Sequence, residues 1–272
     1  MKIRTIRAIV RKDLKVISQS KGVTIPLAVV PLIMFILMPL LASIAPNFIN
    51  IPGMNLTDIQ EYLEMMPPGM LTELANYNEQ QSILVMMVVY FLAPFFLIVP
   101  LMVANVIAAD SFAGEKERKT MEALLYTPTT DQELFMGKML SAWLPAMVVT
   151  LLGFVIYSLI ANIAGWPLMG RVYFPNVMWL LLVFWVAPAA AGLGLGSMVL
   201  VSSRVTTFQE AYQLGALVVL PVVILAVGQA AGVIYFNLAL VFFLGVVLWA
   251  INGFIFWYAV RTFQRGEIIA RL

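Results

Sequence analysis

An all-α integral membrane protein with six transmembrane helices is what this 272-residue chain predicts, on three observations. Six long apolar stretches carry no Asp, Glu, Lys or Arg in their central parts. The chain is 62% hydrophobic and 11% charged, where soluble domains carry about a quarter of charged residues. Of its 16 Lys and Arg residues, only Arg171 falls in a break that the alternation of spans assigns to the outside. Runs of this length exceed what a core helix needs, and positive charge on alternate breaks places both ends of the chain in the cytoplasm.

Residues 1–21 come first and carry Lys2, Arg4, Arg7, Arg11, Lys12, Lys15 and Lys21 against a single acid, Asp13. Ile3, Ile6, Val10, Leu14 and Ile17 recur at helical spacing, so they line one face and the basic residues take much of the rest. This predicts an amphipathic helix lying in the membrane interface, with Arg4, Arg7, Arg11 and Lys15 among head groups. The apolar run after it is too long for the core of a signal peptide, so the first span is expected to remain as an anchor.

The spans are placed at residues 23–45, 83–108, 139–164, 177–201, 211–230 and 237–260, all within one transmembrane domain over 1–272. Residues 46–81 form the sizeable external segment, with five acids and no base. Proline lies within every span except the last, as at Pro39, Pro94 and Pro188. Each removes a backbone donor and favours a bend that neighbouring helices must satisfy. Gly192 and Gly196 form a Gly-x-x-x-Gly pair that suits close helix packing. Asn105, Asn162, Gln213, Gln229 and Asn252 are expected to hydrogen-bond between helices.

The chain has no Cys, and it has no His to act as base for a nucleophile such as Ser197. Thiolate chemistry, the usual zinc sites and His-based acid–base catalysis are thereby excluded. No catalytic residue, bound cofactor or metal site is expected, and no nucleic-acid partner.

The most charged internal segment is 111–130. Glu115, Lys116, Glu117, Arg118 and Lys119 follow Gly114, then Met121, Glu122, Leu124 and Leu125 precede Pro128. The pattern predicts a short amphipathic helix suited to docking on a soluble partner. The segment resembles the loop after the second span in type-2 ABC transporter permeases, on Asp110, Gly114, Glu115, Glu117, Arg118, Glu122, Ala123, Leu124, Leu125, Thr127 and Pro128. With the basic leader, six spans and the turn from Ser203 to Ala211, the likeness covers essentially the whole chain.

The resemblance implies that this loop is a coupling helix, docked on a nucleotide-binding subunit through Gly114, Glu115, Lys116, Glu117, Arg118, Met121, Glu122, Leu124 and Leu125. Gly137-Lys138 lacks the upstream glycine and following hydroxyl of a phosphate loop, so ATP and Mg belong on the partner ATPase. Two ATPase subunits and a second permease copy or paralogue are implied, in a prokaryotic plasma membrane, with spans 2 and 5 lining the path. The expected cargo is hydrophobic: lipid-like, peptide or drug-like. An ion-exporting permease of the same family, a secondary transporter and a membrane scaffold are the alternatives. The connection between spans 5 and 6 is shorter than in many family members, and the external element instead follows span 1.

Overall fold

The computed structural model describes residues 3–48, 68–120, 129–202 and 204–262. Among them it is all helical, with no strand. We number the helices α1 (Ile3–Gln19), α2 (Lys21–Ile44), α3 (Pro68–Leu74), α4 (Glu79–Glu117), α5 (Asp131–Met169), α6 (Val177–Ser202), α7 (Phe208–Ala230) and α8 (Leu238–Thr262). Six of them, α2 and α4 to α8, are long and apolar enough to cross a membrane.

α4 is the hub. Its most apolar 18-residue window is 72% buried in the chain, against 17% for α2 and 22% each for α7 and α8. It packs along α6 and α5 and is flanked by α2 and α7, while α8 lies on α6. The tightest backbone approach is at Gly194, where an added Cβ would sit 2.3 Å from the Leu101 carbonyl oxygen. Only glycine lets α4 and α6 meet there. Gly192 and Gly196 face the other way, against Asn252 and Ile255 of α8.

Proline explains three local widenings. A proline ring crowds the carbonyl four residues earlier and offers that oxygen no donor. For Pro39, Pro94 and Pro188 those carbonyls belong to Phe35, Tyr90 and Phe184. Each lies in a π-helical turn, at Ile33–Leu37, Met86–Phe91 and Leu182–Val186. The wider turn makes room for the ring and shifts bonding to i→i+5, as from the Leu92 N–H to the Met87 carbonyl.

Two other carbonyls of the second of these turns accept side-chain donors. Tyr157 Oη donates to the Val88 carbonyl at 2.5 Å, and Trp179 Nε1 donates to the Val89 carbonyl at 2.7 Å. Both donors belong to an aromatic knot between α2, α4, α5 and α6. Trp179 has ring-centroid distances of 5.2 Å to Phe96, 4.9 Å to Tyr157 and 4.8 Å to Phe174. Phe35 joins through Phe96 at 5.2 Å and packs on Gly153, where no Cβ would fit.

The two longest helices overshoot a bilayer. α5 has 39 residues and so does the α4 segment. At 1.5 Å per residue each is about 58 Å long, against a hydrocarbon core of about 30 Å. Both helices run past the span limits expected at residues 108 and 139: α4 continues to Glu117 and α5 begins at Asp131. Thr130 and Glu133 start α5 with a reciprocal capping box. The projecting ends of α4 and α5 meet α1 on one side of the bundle.

Candidate functional site

The residues that converge at the α1 end come from three parts of the sequence. α1 supplies Lys12 and Asp13, the end of α4 supplies Asp110, Ser111 and Glu115, Arg118 follows directly, and α5 supplies Lys138 and Ser141. α1 reaches the bundle through Ile9, Asp13 and Ile17, one turn apart on one face. Ile9 lies so close over Gly137 of α5 that a Cβ there would come within 2.9 Å of it.

That contact face shares only Ile17 with the apolar stripe read in the sequence. Ile3 is 81% exposed and Leu14 40% exposed, and neither packs in the chain's interior. Arg4, Arg7, Arg11 and Lys15 are also exposed. The bundle therefore engages the Ile17 end of the stripe together with Ile9 and Asp13, and leaves Ile3, Leu14 and the cations open.

A fourth π turn, Asp110–Gly114, has no proline behind it, and all five of its residues are buried. It changes the pitch of α4 where the charged side chains begin. Asp110 turns to Arg118, whose Nη1 lies 2.9 Å from Asp110 Oδ1. The guanidinium crosses Gly114 to get there: a Cβ at that position would be 2.9 Å from Asp110 Oδ1 and 3.1 Å from Arg118 Nη1. Hydrogen bonding to Asp110 raises the Arg118 pKa above its ordinary value, against the opposing effect of partial burial.

Glu115 is the centre. Its side chain is only 4% exposed, and its two oxygens face different cations. Oε1 pairs with Lys12 of α1, and Oε2 lies 2.5 Å from Nζ of Lys138. Lys138 has no exposed surface at all, yet its ammonium is well served. It also donates to the Ser111 carbonyl and hydroxyl and lies 5.2 Å over the Phe112 ring. Asp13 accepts from the hydroxyls of Ser111 at 3.0 Å and Ser141 at 2.9 Å, with Lys12 Nζ 3.3 Å from its other oxygen.

Burial alone would lower the pKa of Lys12. The hydrogen bond and charge of Glu115, then those of Asp13, outweigh it and hold the value above that of an ordinary lysine. Three cations (Lys12, Arg118, Lys138) thus face three anions (Asp13, Asp110, Glu115), and every carboxylate has a partner. Such a network tolerates burial because it is neutral and saturated with hydrogen bonds.

The rest of the charged block is also engaged within the chain. Lys116 Nζ donates to the Val205 carbonyl at 3.3 Å. Glu117 accepts at 2.8 Å from the backbone N–H of Phe208, the first residue of α7, where a negative charge complements the helix dipole. Lys119 turns the chain in a left-handed conformation, φ 56°, and Lys119 and Thr120 are exposed. Met121, Glu122, Leu124 and Leu125 lie outside the described residues.

Glu115, expected to offer its carboxylate to a soluble partner, points inward in this structure and holds α1 to α5. Gly114 is likewise buried and serves the Asp110–Arg118 contact. Sequence reasoning also missed Asp13 and Lys138. Asp13 had one available signal, as the lone acid in a basic leader placed four residues from both Ile9 and Ile17. Lys138 looked like the last charge before a span, and nothing local marks it as buried.

A family model described as ABC-2 family transporter protein matches residues 7–258. The chain belongs to that family. Neither a curated protein nor a solved structure matches it. It is thus a multi-pass membrane transport subunit of a kind that typically lacks an ATPase motif and belongs to an ABC transporter with ATPase partners.

Proposed function

We propose that the chain is the permease of an ATP-driven exporter, with the α1 end cytoplasmic, and that separate ATPase subunits dock on the segment after α4. The observation that carries this reading is the way residues 110–118 are tied to four helices. Arg118 is bound to α4, Glu115 to α1 and α5, and Lys116 and Glu117 to the start of α7. A displacement applied to this segment reaches those helices together, which is what conversion of ATP-driven closure into rigid-body movement requires.

In this reading the docking surface itself lies beyond Arg118. Lys119 and Thr120 begin it, Glu122 gives a polar contact, and Met121, Leu124 and Leu125 supply the anchors. Two permease copies enclose the path. Met87, Phe91, Phe95, Ile98 and Met102 form a half-buried stripe along α4. Flexible Met and aromatic side chains of this kind suit hydrophobic cargo of varied shape, and the exposed apolar face of α7 offers the contact to the second copy.

The test is co-purification with the ATPase subunits and ATP-dependent transport in proteoliposomes. Leu124→Asp with Leu125→Asp is expected to abolish ATPase retention and transport while the thermal stability of the permease is unchanged. Full retention and transport in that variant would overturn the docking assignment.

A further inference from the structure

α1 presents more than the bundle uses. Arg4, Arg7, Arg11 and Lys15 are exposed, and at 100° per residue they fall within about a quarter of the helix circumference. No acid shares that arc, because the only acid of α1 is the buried Asp13. The exposed apolar side chains Ile3 and Leu14 border it. Ser20 alone separates α1 from the first span, whose opening residue, Lys21, adds a further exposed cation. The chain connection thus holds α1 at the level where a span leaves the hydrocarbon. Cations next to apolar groups at that level match a lipid surface, with phosphates above and acyl chains below.

We propose that α1 is a binding surface for anionic phospholipid head groups, and that its seating on them is passed to the end of α4 through the buried ion-pair network. The relevance of that transmission to coupling rests on the functional reading above. The route is short. Lys12 follows Arg11 directly on α1 and pairs with Glu115, and Asp13 binds Ser111 of α4 and Ser141 of α5. α1 cannot tilt on the membrane without pulling on the π turn at Asp110–Gly114. The leaflet's charge thereby becomes an input to the segment that a partner meets.

The test uses the full chain in nanodiscs of zwitterionic lipid, with or without an anionic phospholipid. Native mass spectrometry is expected to find anionic lipid selectively retained. Each of R4Q, R7Q, R11Q and K15Q should reduce that selectivity about fivefold, the equivalent of ~1 kcal/mol per cation. Among the described residues the four side chains are exposed and make no hydrogen bond or ion pair, so the graded single variants remain folded even if the quadruple one does not. Selectivity that persists after neutralisation overturns the surface. Loss of ATPase retention with lipid selectivity untouched also overturns it, assigning the cations to a protein partner instead. Hydrogen exchange of amides 110–118 reads the transmission: it should slow in anionic discs, and that response should vanish in K12Q. Exchange that ignores lipid charge, or a response that survives K12Q, overturns the route. Lipid selectivity and hydrogen exchange are both read on the permease alone, so failure of the exporter reading is scored separately.

Discussion

Two clusters pin α4 to α5, and they do it with opposite chemistry. The aromatic knot around Trp179 is uncharged and donates to carbonyls of the π turn before Pro94. The cluster around Glu115 is ionic, and its π turn has no proline behind it. Apolar packing loses little by lying in hydrocarbon, whereas ions there are costly, so charges gather where the long helices overshoot the bilayer. The difference teaches a division of labour. The knot holds by volume and tolerates little change. The ionic cluster holds by charge pairs and hydrogen bonds between α1, α4 and α5.

The largest effect that would break this comparison is in the knot. Trp179→Ala removes a fully buried indole and leaves the Val89 carbonyl without its donor. A loss of about 3–5 kcal/mol is expected, read as a large drop in the thermal unfolding temperature of the solubilised protein. A minor shift would mean that the knot is not the stronger clamp.

The ionic cluster comes next. Lys138→Met leaves Glu115 buried with only Lys12, and a cost near 3 kcal/mol is expected. Combining it with Glu115→Gln should recover part of that loss, because the orphaned charge goes too. A double-mutant cycle with no coupling would show that the two side chains do not share a pair.

Glu117→Gln should be milder, below about 1 kcal/mol, since the group is exposed and acts through the start of α7. Faster hydrogen exchange at the Phe208 amide, without global destabilisation, is the expected signature. The smallest effect concerns pH. The pKa of Lys12 is raised in the folded chain, so its contribution is complete below the ordinary value of 10.5 and is lost only as pH rises through the folded-state value above it. Thermal stability of native and K12Q chains should therefore differ by a constant amount across neutral pH and converge only in strong alkali.

The six helices and the all-α class were legible because hydropathy is a property of contiguous residues. The site was legible only in part, because burial of a charge depends on partners far away in sequence. Asp110, Gly114, Glu115 and Arg118 carried the family resemblance, but their pattern did not disclose that Arg118 folds back over Gly114. Glu115 meets Lys12 and Lys138 from separate helices, and no local periodicity reports such a meeting. Gly194 was hidden by its neighbours: Gly192 and Gly196 make the recognisable motif, while the closest backbone approach lies between them. The stripe of α1 was read as facing the membrane interface, and that reading gave no sign that the bundle would take Ile9, Asp13 and Ile17.

The complete burial of Lys138 makes it a reporter. An amine-reactive reagent added to the folded protein will modify Lys15, Lys21 and Lys119 at the surface while the Lys138 ammonium stays out of reach. Its acylation requires Glu115 to let go and α1 to lift. The rate at which Lys138 becomes labelled, relative to those surface lysines, therefore counts how often the clasp between α1, α4 and α5 opens.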